Sequence, residues 1–123
     1  VIFTSNPIEY AGVHRAQDAL LDRMAGIYMD YHDRETESKI IARHSKIDEK
    51  NALALVDMLS LLREKLPEES CLGTRAGVMV ARALKLTNDY SKPAIKQLLG
   101  NMITSKSKNV EHFRELMKTV EKL

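Results

Sequence analysis

The sequence has few of the residues that mark specialised structural classes. Of its 123 residues, one is cysteine, none is tryptophan, three are proline and 5% are aromatic. A single thiol, Cys71, excludes an internal disulfide framework and fits a reducing compartment, where we expect a small core residue. No apolar run approaches the roughly 18 residues that span a bilayer, and the first residues lack the order of a secretory signal. We therefore expect a soluble, cytoplasmic chain of one-domain size.

The chain also lacks an excess of either charge. Its 19 basic and 17 acidic residues give a formal net charge of +2, which is too small to attract nucleic acid or an anionic membrane. The two signs are unevenly spread, with 9 basic and 13 acidic residues up to Thr74 and 10 against 4 from Arg75 onward. The basic C-terminal half is expected to face an acidic neighbour or solvent. The apolar fraction of 44% is enough for a buried core.

Two kinds of catalytic motif are missing. The sequence has no GxxxxGK[ST] phosphate-binding loop, and no strand candidate ends in the acidic pair that would hold magnesium. Its four histidines do not combine with Cys, Asp or Glu at metal-ligand spacing, so we predict no metal site. The chain alone is not expected to hydrolyse a nucleoside triphosphate.

The first third alternates strand and helix signals. Residues 1–4 are apolar and mostly β-branched, as in a strand buried on both faces, and Pro7 ends this strand because it restricts Asn6 and has no amide hydrogen. A short helix is predicted over residues 16–24 and a second strand over residues 26–31. Because such strands need neighbours that this chain barely supplies, we expect a piece of a longer protein.

The remainder follows a helical period. Asp33 and Asp48 are predicted to cap helices over residues 34–44 and from residue 49 to Pro67. Three further helices are expected over residues 75–86, from about residue 93, and from residue 110. The predicted fold is therefore mainly α.

The segment from Ser5 to Met24 reads SNPIEYAGVHRAQDALLDRM. It resembles the sensor-1 and arginine-finger region of MoxR-type AAA+ ATPases. Its sequence is closer to that of the gas vesicle members than to those of MoxR itself or the CbbQ activators. The resemblance implies the C-terminal end of an AAA+ α/β core, with one or two strands, over residues 1–32. A helical lid of about five helices would follow over residues 33–123.

The resemblance assigns two catalytic residues in this segment. Asn6 corresponds to sensor 1, whose carboxamide contacts the γ-phosphate or the attacking water and can donate and accept at once. Arg23 corresponds to the finger that a subunit inserts into its neighbour's active site, where a permanently charged guanidinium stabilises the transferring phosphoryl group. Read without the resemblance, Asn6 caps a turn, and Arg23 pairs at the surface with Asp22 or Asp18.

A third residue is assigned to nucleotide binding. The run Gly73-Thr74-Arg75 at the start of a predicted helix resembles the sensor-2 arginine of the lid, which reaches the nucleotide bound by the same subunit. A cation in the first turn of a helix is disfavoured by the helix dipole, so helix stability does not explain Arg75, whereas a phosphate target does.

The resemblance implies a hexameric parent ATPase that uses ATP and Mg²⁺. Its partners would be neighbouring AAA+ subunits and gas vesicle shell or assembly proteins, with no membrane and no nucleic acid. Two other readings stay open at this stage. One is a nucleotide-independent helical adaptor, in which Arg23 and Arg75 are incidental. The other is a DNA-associated AAA+ lid, whose binding to duplex DNA would weaken steeply with salt.

Overall fold

The computed structural model describes residues 1–4 and 22–123. These residues contain five α-helices and one 3-10 turn at Glu68–Ser70. The helices are α1 (Arg34–Ser45), α2 (Glu49–Lys65), α3 (Thr74–Thr87), α4 (Lys92–Thr104) and α5 (Val110–Glu121). The predictions of a mainly α fold and of five helices are confirmed. The chain forms two compact units, Val1–Asp30 and Tyr31–Leu123, and all five helices belong to the second.

The described part of the first unit is irregular. Residues 1–4 and 22–30 are exposed, and their one regular feature is a turn at residues 22 and 23. The two strands predicted over residues 1–4 and 26–31 are therefore not confirmed. A strand is defined by hydrogen bonds to a neighbouring strand, and the described residues supply no such neighbour. The helix predicted over residues 16–24 falls mostly on residues 5–21, outside the described part, and residues 22–24 are not helical.

Side-chain caps define the start of four helices. Asp33, Asp48, Ser91 and Asn109 each accept a hydrogen bond from a backbone amide in the first turn, at 2.9, 3.1, 3.4 and 2.8 Å respectively. Such bonds satisfy amides that have no partner within the helix. The predicted caps Asp33 and Asp48 are confirmed, and hydrogen bonds from Thr36 keep the pKa of Asp33 below its ordinary value. By contrast, α3 begins after Gly73 without a side-chain cap.

One core joins the five helices. Helix α1 packs against α2 and α3, α4 packs against α3 and α5, and α2 contacts α3 and α5. The fully buried side chains at its centre are Ile41, Leu55, Val56, Leu59, Leu84, Leu99 and Ile103. Because α1, α2 and α3 share this core, their surface side chains keep defined positions relative to one another.

Replacement by alanine is predicted to have opposite effects on stability at two helical glycines, Gly77 and Gly100. An added Cβ at Gly77 would come within 2.7 Å of Ile41 Cδ1 and 3.0 Å of Leu59 Cδ1, both fully buried. At Gly100 the nearest atom, on Val120, would lie at an ordinary 3.5 Å. Gly100→Ala should therefore raise the free energy of unfolding by about 0.5–1 kcal/mol. In Gly77→Ala the overpacked core should cost about 1–3 kcal/mol, so this variant should be clearly the less stable of the two. Urea unfolding measures both, and equal stabilities would contradict this close α1–α3 contact.

Candidate functional site

A groove runs between α1 and α3 on the surface of the second unit. Its volume is about 350 Å³. Ile40 and His44 of α1 line one side, and Thr74, Arg75, Val78, Met79 and Arg82 of α3 line the other. The lining contains two arginines and no acidic residue, so the groove favours an anionic ligand over a cationic one.

Arg75 stands at one end of this groove, in the first turn of α3. Its side chain is exposed, and it has no ion-pair or hydrogen-bond partner among the described residues. The first turn of α3 also has no acidic residue and no side-chain cap. A cation next to the positive end of a helix is unfavourable by itself, but both charges would stabilise a bound anion. The surroundings of Arg75 therefore suit phosphate or carboxylate.

Arg82 stands at the other end of the groove. Its Nη2 donates a hydrogen bond to the carbonyl oxygen of His44 at 3.3 Å, and so satisfies a carbonyl in the last turn of α1. Sequence reasoning did not select Arg82. The signal was available in the spacing, because residues seven apart lie on one face of a helix and Arg75 precedes Arg82 by seven positions.

A buried ion pair lies beneath the start of α3. Glu37 is only 1% exposed, and its two carboxylate oxygens accept hydrogen bonds from Arg63 Nη1 and Nη2 at 2.8 and 2.7 Å. Arg63 Nε donates to the carbonyl of Leu72 at 2.9 Å, and its guanidinium lies 3.9 Å from the centre of the Tyr31 ring. Burial lowers the pKa of Arg63, but the bonds and charge of Glu37 outweigh it and leave that pKa raised. Arg63 therefore stays charged.

Thr74 connects this ion pair to the groove. Its hydroxyl donates to Glu37 Oε1 at 2.9 Å, while the next side chain, Arg75, faces the groove. The burial of Glu37 was not predicted from the sequence. The available signal was spacing again, since Glu37 shares a helix face with Ile41 and Ser45 at four-residue intervals, and all three are buried.

Two of the three site residues predicted from the sequence lie in the described part of the chain. Asn6 lies among residues 5–21, outside the described part of the chain. Arg23 lies in the exposed turn of the first unit, and Arg75 lies on α3 of the second. The roles of Asn6 and Arg75 at the nucleotide of their own subunit, and of Arg23 at that of a neighbouring subunit, stay predictions.

The described part contains one thiol and no group of side chains suited to a metal ion. Cys71 is half-buried against the core, and burial raises the pKa of its thiol, so the thiol is protonated near neutral pH. Over residues 1–4 and 22–123, no three His, Cys, Asp or Glu side chains are grouped closely enough to hold a metal ion. Nor does any helix in these ranges combine the length and apolarity needed to cross a bilayer.

Comparison with known proteins gives one consistent group of relatives. The chain is 40% identical over 119 residues to Gas vesicle ATPase GvpN2 of Halobacterium salinarum, covering 94% of this chain and 34% of the relative. It is 39% identical over 121 residues to Gas vesicle ATPase GvpN of Haloferax mediterranei, covering 98% of this chain and 34% of the relative.

A third relative, Gas vesicle ATPase GvpN of Ancylobacter aquaticus, is 36% identical over 108 residues, covering 85% of this chain and 30% of the relative. No protein-family model matches the chain, and no solved structure matches it either. The chain spans about one third of the length of the curated relatives it matches. These identities, which extend over nearly the whole chain, show that it belongs to the GvpN family of gas vesicle ATPases.

Proposed function

We propose that this chain is the C-terminal sensor and lid portion of an AAA+ ATPase that couples ATP binding and hydrolysis to gas vesicle assembly. The observation that carries the proposal is the position of Arg75. It extends from the uncapped first turn of α3 into a groove without acidic residues, in a chain that shares 40% identity with a gas vesicle ATPase. A triphosphate suits such a place because guanidinium and helix amides both bind phosphate oxygens.

Each of the three predicted residues has a role in this proposal. Bound ATP supplies a terminal phosphoryl group that is transferred to water, with Mg²⁺ held by segments other than this chain. Arg75 donates hydrogen bonds to the nucleotide of its own subunit, so that nucleotide binding fixes the position of the helical unit. Asn6 orients the γ-phosphate or the attacking water, and Arg23 completes the active site of a neighbouring subunit.

The proposed activity requires more than this chain. Since the sequence contains no phosphate-binding loop, the 123-residue chain by itself should not hydrolyse ATP. The parent is proposed to act as an oligomer of AAA+ subunits, with six as the expected number. Its partners are proposed to be shell or assembly proteins of gas vesicles. This part of the proposal is supported by the names of the relatives.

Arg75→Ala in a full-length ATPase that carries this segment is expected to weaken ATP binding by roughly 10- to 100-fold. The reason is the loss of a hydrogen bond between charged groups, which contributes about 1.5–3 kcal/mol. Equilibrium binding of a fluorescent ATP analogue, followed by competition with ATP, measures the effect. Arg75→Lys should recover only part of the affinity, because an ammonium cannot reproduce the planar, two-pronged contact of a guanidinium.

Arg114 provides a matched control, since it is an exposed arginine on α5 and does not line the groove. Arg114→Ala should leave ATP affinity unchanged. If Arg75→Ala binds ATP as tightly as Arg114→Ala does, the sensor role is wrong and a nucleotide-independent helical adaptor becomes the better description.

A further inference from the structure

We propose that Thr74, held by Glu37 and Arg63, is a positioning residue that fixes the first turn of α3 and thereby the direction of Arg75. The proposal rests on the nucleotide-sensing role of Arg75 given above. It adds that this role depends on a buried polar network lying behind the helix, away from the groove.

The first step is that the segment leading into α3 is held at two places by one side chain. Arg63 binds the carbonyl of Leu72 directly through Nε at 2.9 Å, and it binds Thr74 indirectly through the carboxylate of Glu37. The two contacted residues, Leu72 and Thr74, lie on either side of Gly73, and Thr74 immediately precedes Arg75. Because Gly73 contributes no cap, the start of α3 is fixed by its contacts with α1 and α2.

The second step concerns the rotation of α3 about its own axis. Successive helical residues point about 100° apart, so the direction of one side chain fixes that of the next. The hydroxyl of Thr74 bonds to Glu37, which is 1% exposed, and Arg75 is thereby directed into the groove. Core packing fixes α3 further along, and the hydroxyl bond is the side-chain contact that fixes the rotation of its first turn.

The third step is that the anchor is itself rigid. The side chain of Glu37 is 1% exposed and that of Arg63 is 10% exposed, and two hydrogen bonds join them in parallel. Paired carboxylate and guanidinium groups in this arrangement have little rotational freedom. Glu37 Oε1, which accepts the Thr74 hydroxyl, should therefore move less than an exposed capping side chain would.

The experiment compares Thr74→Val, which keeps the shape and removes the hydroxyl, with Thr74→Ser, which keeps the hydroxyl. In the full-length ATPase, Thr74→Val should weaken ATP binding about tenfold and Thr74→Ser should restore most of the loss. Added to Arg75→Ala, Thr74→Val should change ATP binding less than about twofold, because its effect passes through Arg75. Thr104→Val is the matched control, since Thr104 is also a helical threonine whose hydroxyl donates a hydrogen bond, but to the carbonyl of Gly100 in its own helix α4, at 2.9 Å.

A second measurement on the 123-residue chain does not depend on ATP. The ¹⁵N order parameter of the Arg75 amide should fall from about 0.85 to below about 0.6 in Thr74→Val, and it should stay high in Thr74→Ser and Thr104→Val. An unchanged order parameter, or equal losses of ATP affinity with and without Arg75, would overturn the positioning role. If Arg75→Ala alone leaves ATP binding intact, the sensor proposal fails while the order parameter still decides the role of Thr74.

Discussion

Arg23→Ala in the assembled full-length ATPase is expected to lower the rate of ATP hydrolysis by about 10³- to 10⁵-fold while ATP still binds. The reason is that an arginine supplied by a neighbouring subunit stabilises charge on the transferring phosphoryl group, and this stabilisation is absent in the bound ground state. In the structure Arg23 lies exposed in a turn, a position from which a side chain can reach another molecule. Phosphate release under saturating ATP, together with ATP affinity, measures the two effects separately.

A mixing experiment tests whether Arg23 acts between subunits. Subunits carrying Arg23→Ala are mixed with subunits whose own phosphate-binding loop is disabled but whose Arg23 is intact. Activity should reappear in the mixture, because some interfaces then combine a working nucleotide site with an intact arginine.

Asp22→Asn provides the control for a simple surface ion pair, which would be worth at most about 1 kcal/mol. A finger role is refuted if Asp22→Asn reproduces the loss, or if the mixture stays inactive although it assembles.

Arg63→Ala is expected to lower the free energy of unfolding by about 3–5 kcal/mol, because it leaves the buried carboxylate of Glu37 without its charge partner. The substitution also removes the donor to the Leu72 carbonyl and the contact with the Tyr31 ring. For a domain of this size, the melting temperature should fall by more than about 12 °C. Calorimetry or circular dichroism of the 123-residue chain measures it.

Arg34→Ala is the matched control, since Arg34 also binds a carboxylate, that of Asp57, through two hydrogen bonds. This second pair is about half exposed on both sides, so its loss should cost less than about 1 kcal/mol. Replacing Glu37 and Arg63 together with leucine should recover part of the stability lost in Arg63→Ala, because no unpaired charge is then buried. Equal losses for the two single arginine variants would show that burial does not set the strength of these pairs.

Local signals predicted most of the helical fold. The caps Asp33 and Asp48 and the apolar period placed α1 and α2 within a few residues of their observed bounds, since both signals act within one or two turns of chain. The strands over residues 1–4 and 26–31 were predicted by equally local apolar patterns, but a strand also needs hydrogen-bonding partners that a local pattern does not contain.

The site was predictable only in part for the same reason. Arg75 could be selected from the sequence through its resemblance to a family motif, and its role at a nucleotide stays a prediction. The structure adds that it lines a groove with a second arginine and no acidic residue. The contact of Glu37 with Arg63 and Thr74 joins residues 26 and 37 positions apart, and no pattern within one helix specifies it. Arg82 enters the groove through the side-by-side packing of α1 and α3, which is likewise a tertiary property.

The two hydrogen bonds that join α1 to α3 also restrict how the helical unit can move. One joins Glu37 to Thr74 near the beginning of both helices, and the other joins Arg82 to His44 near the end of α1. The attachment points are seven positions apart on α1 and eight positions apart on α3, so they are separated by about 10–12 Å along the helices. Two separated attachments resist a change in the angle between α1 and α3. A displacement imposed on Arg75 would therefore tilt these two helices together, and the helices packed against them would move as well.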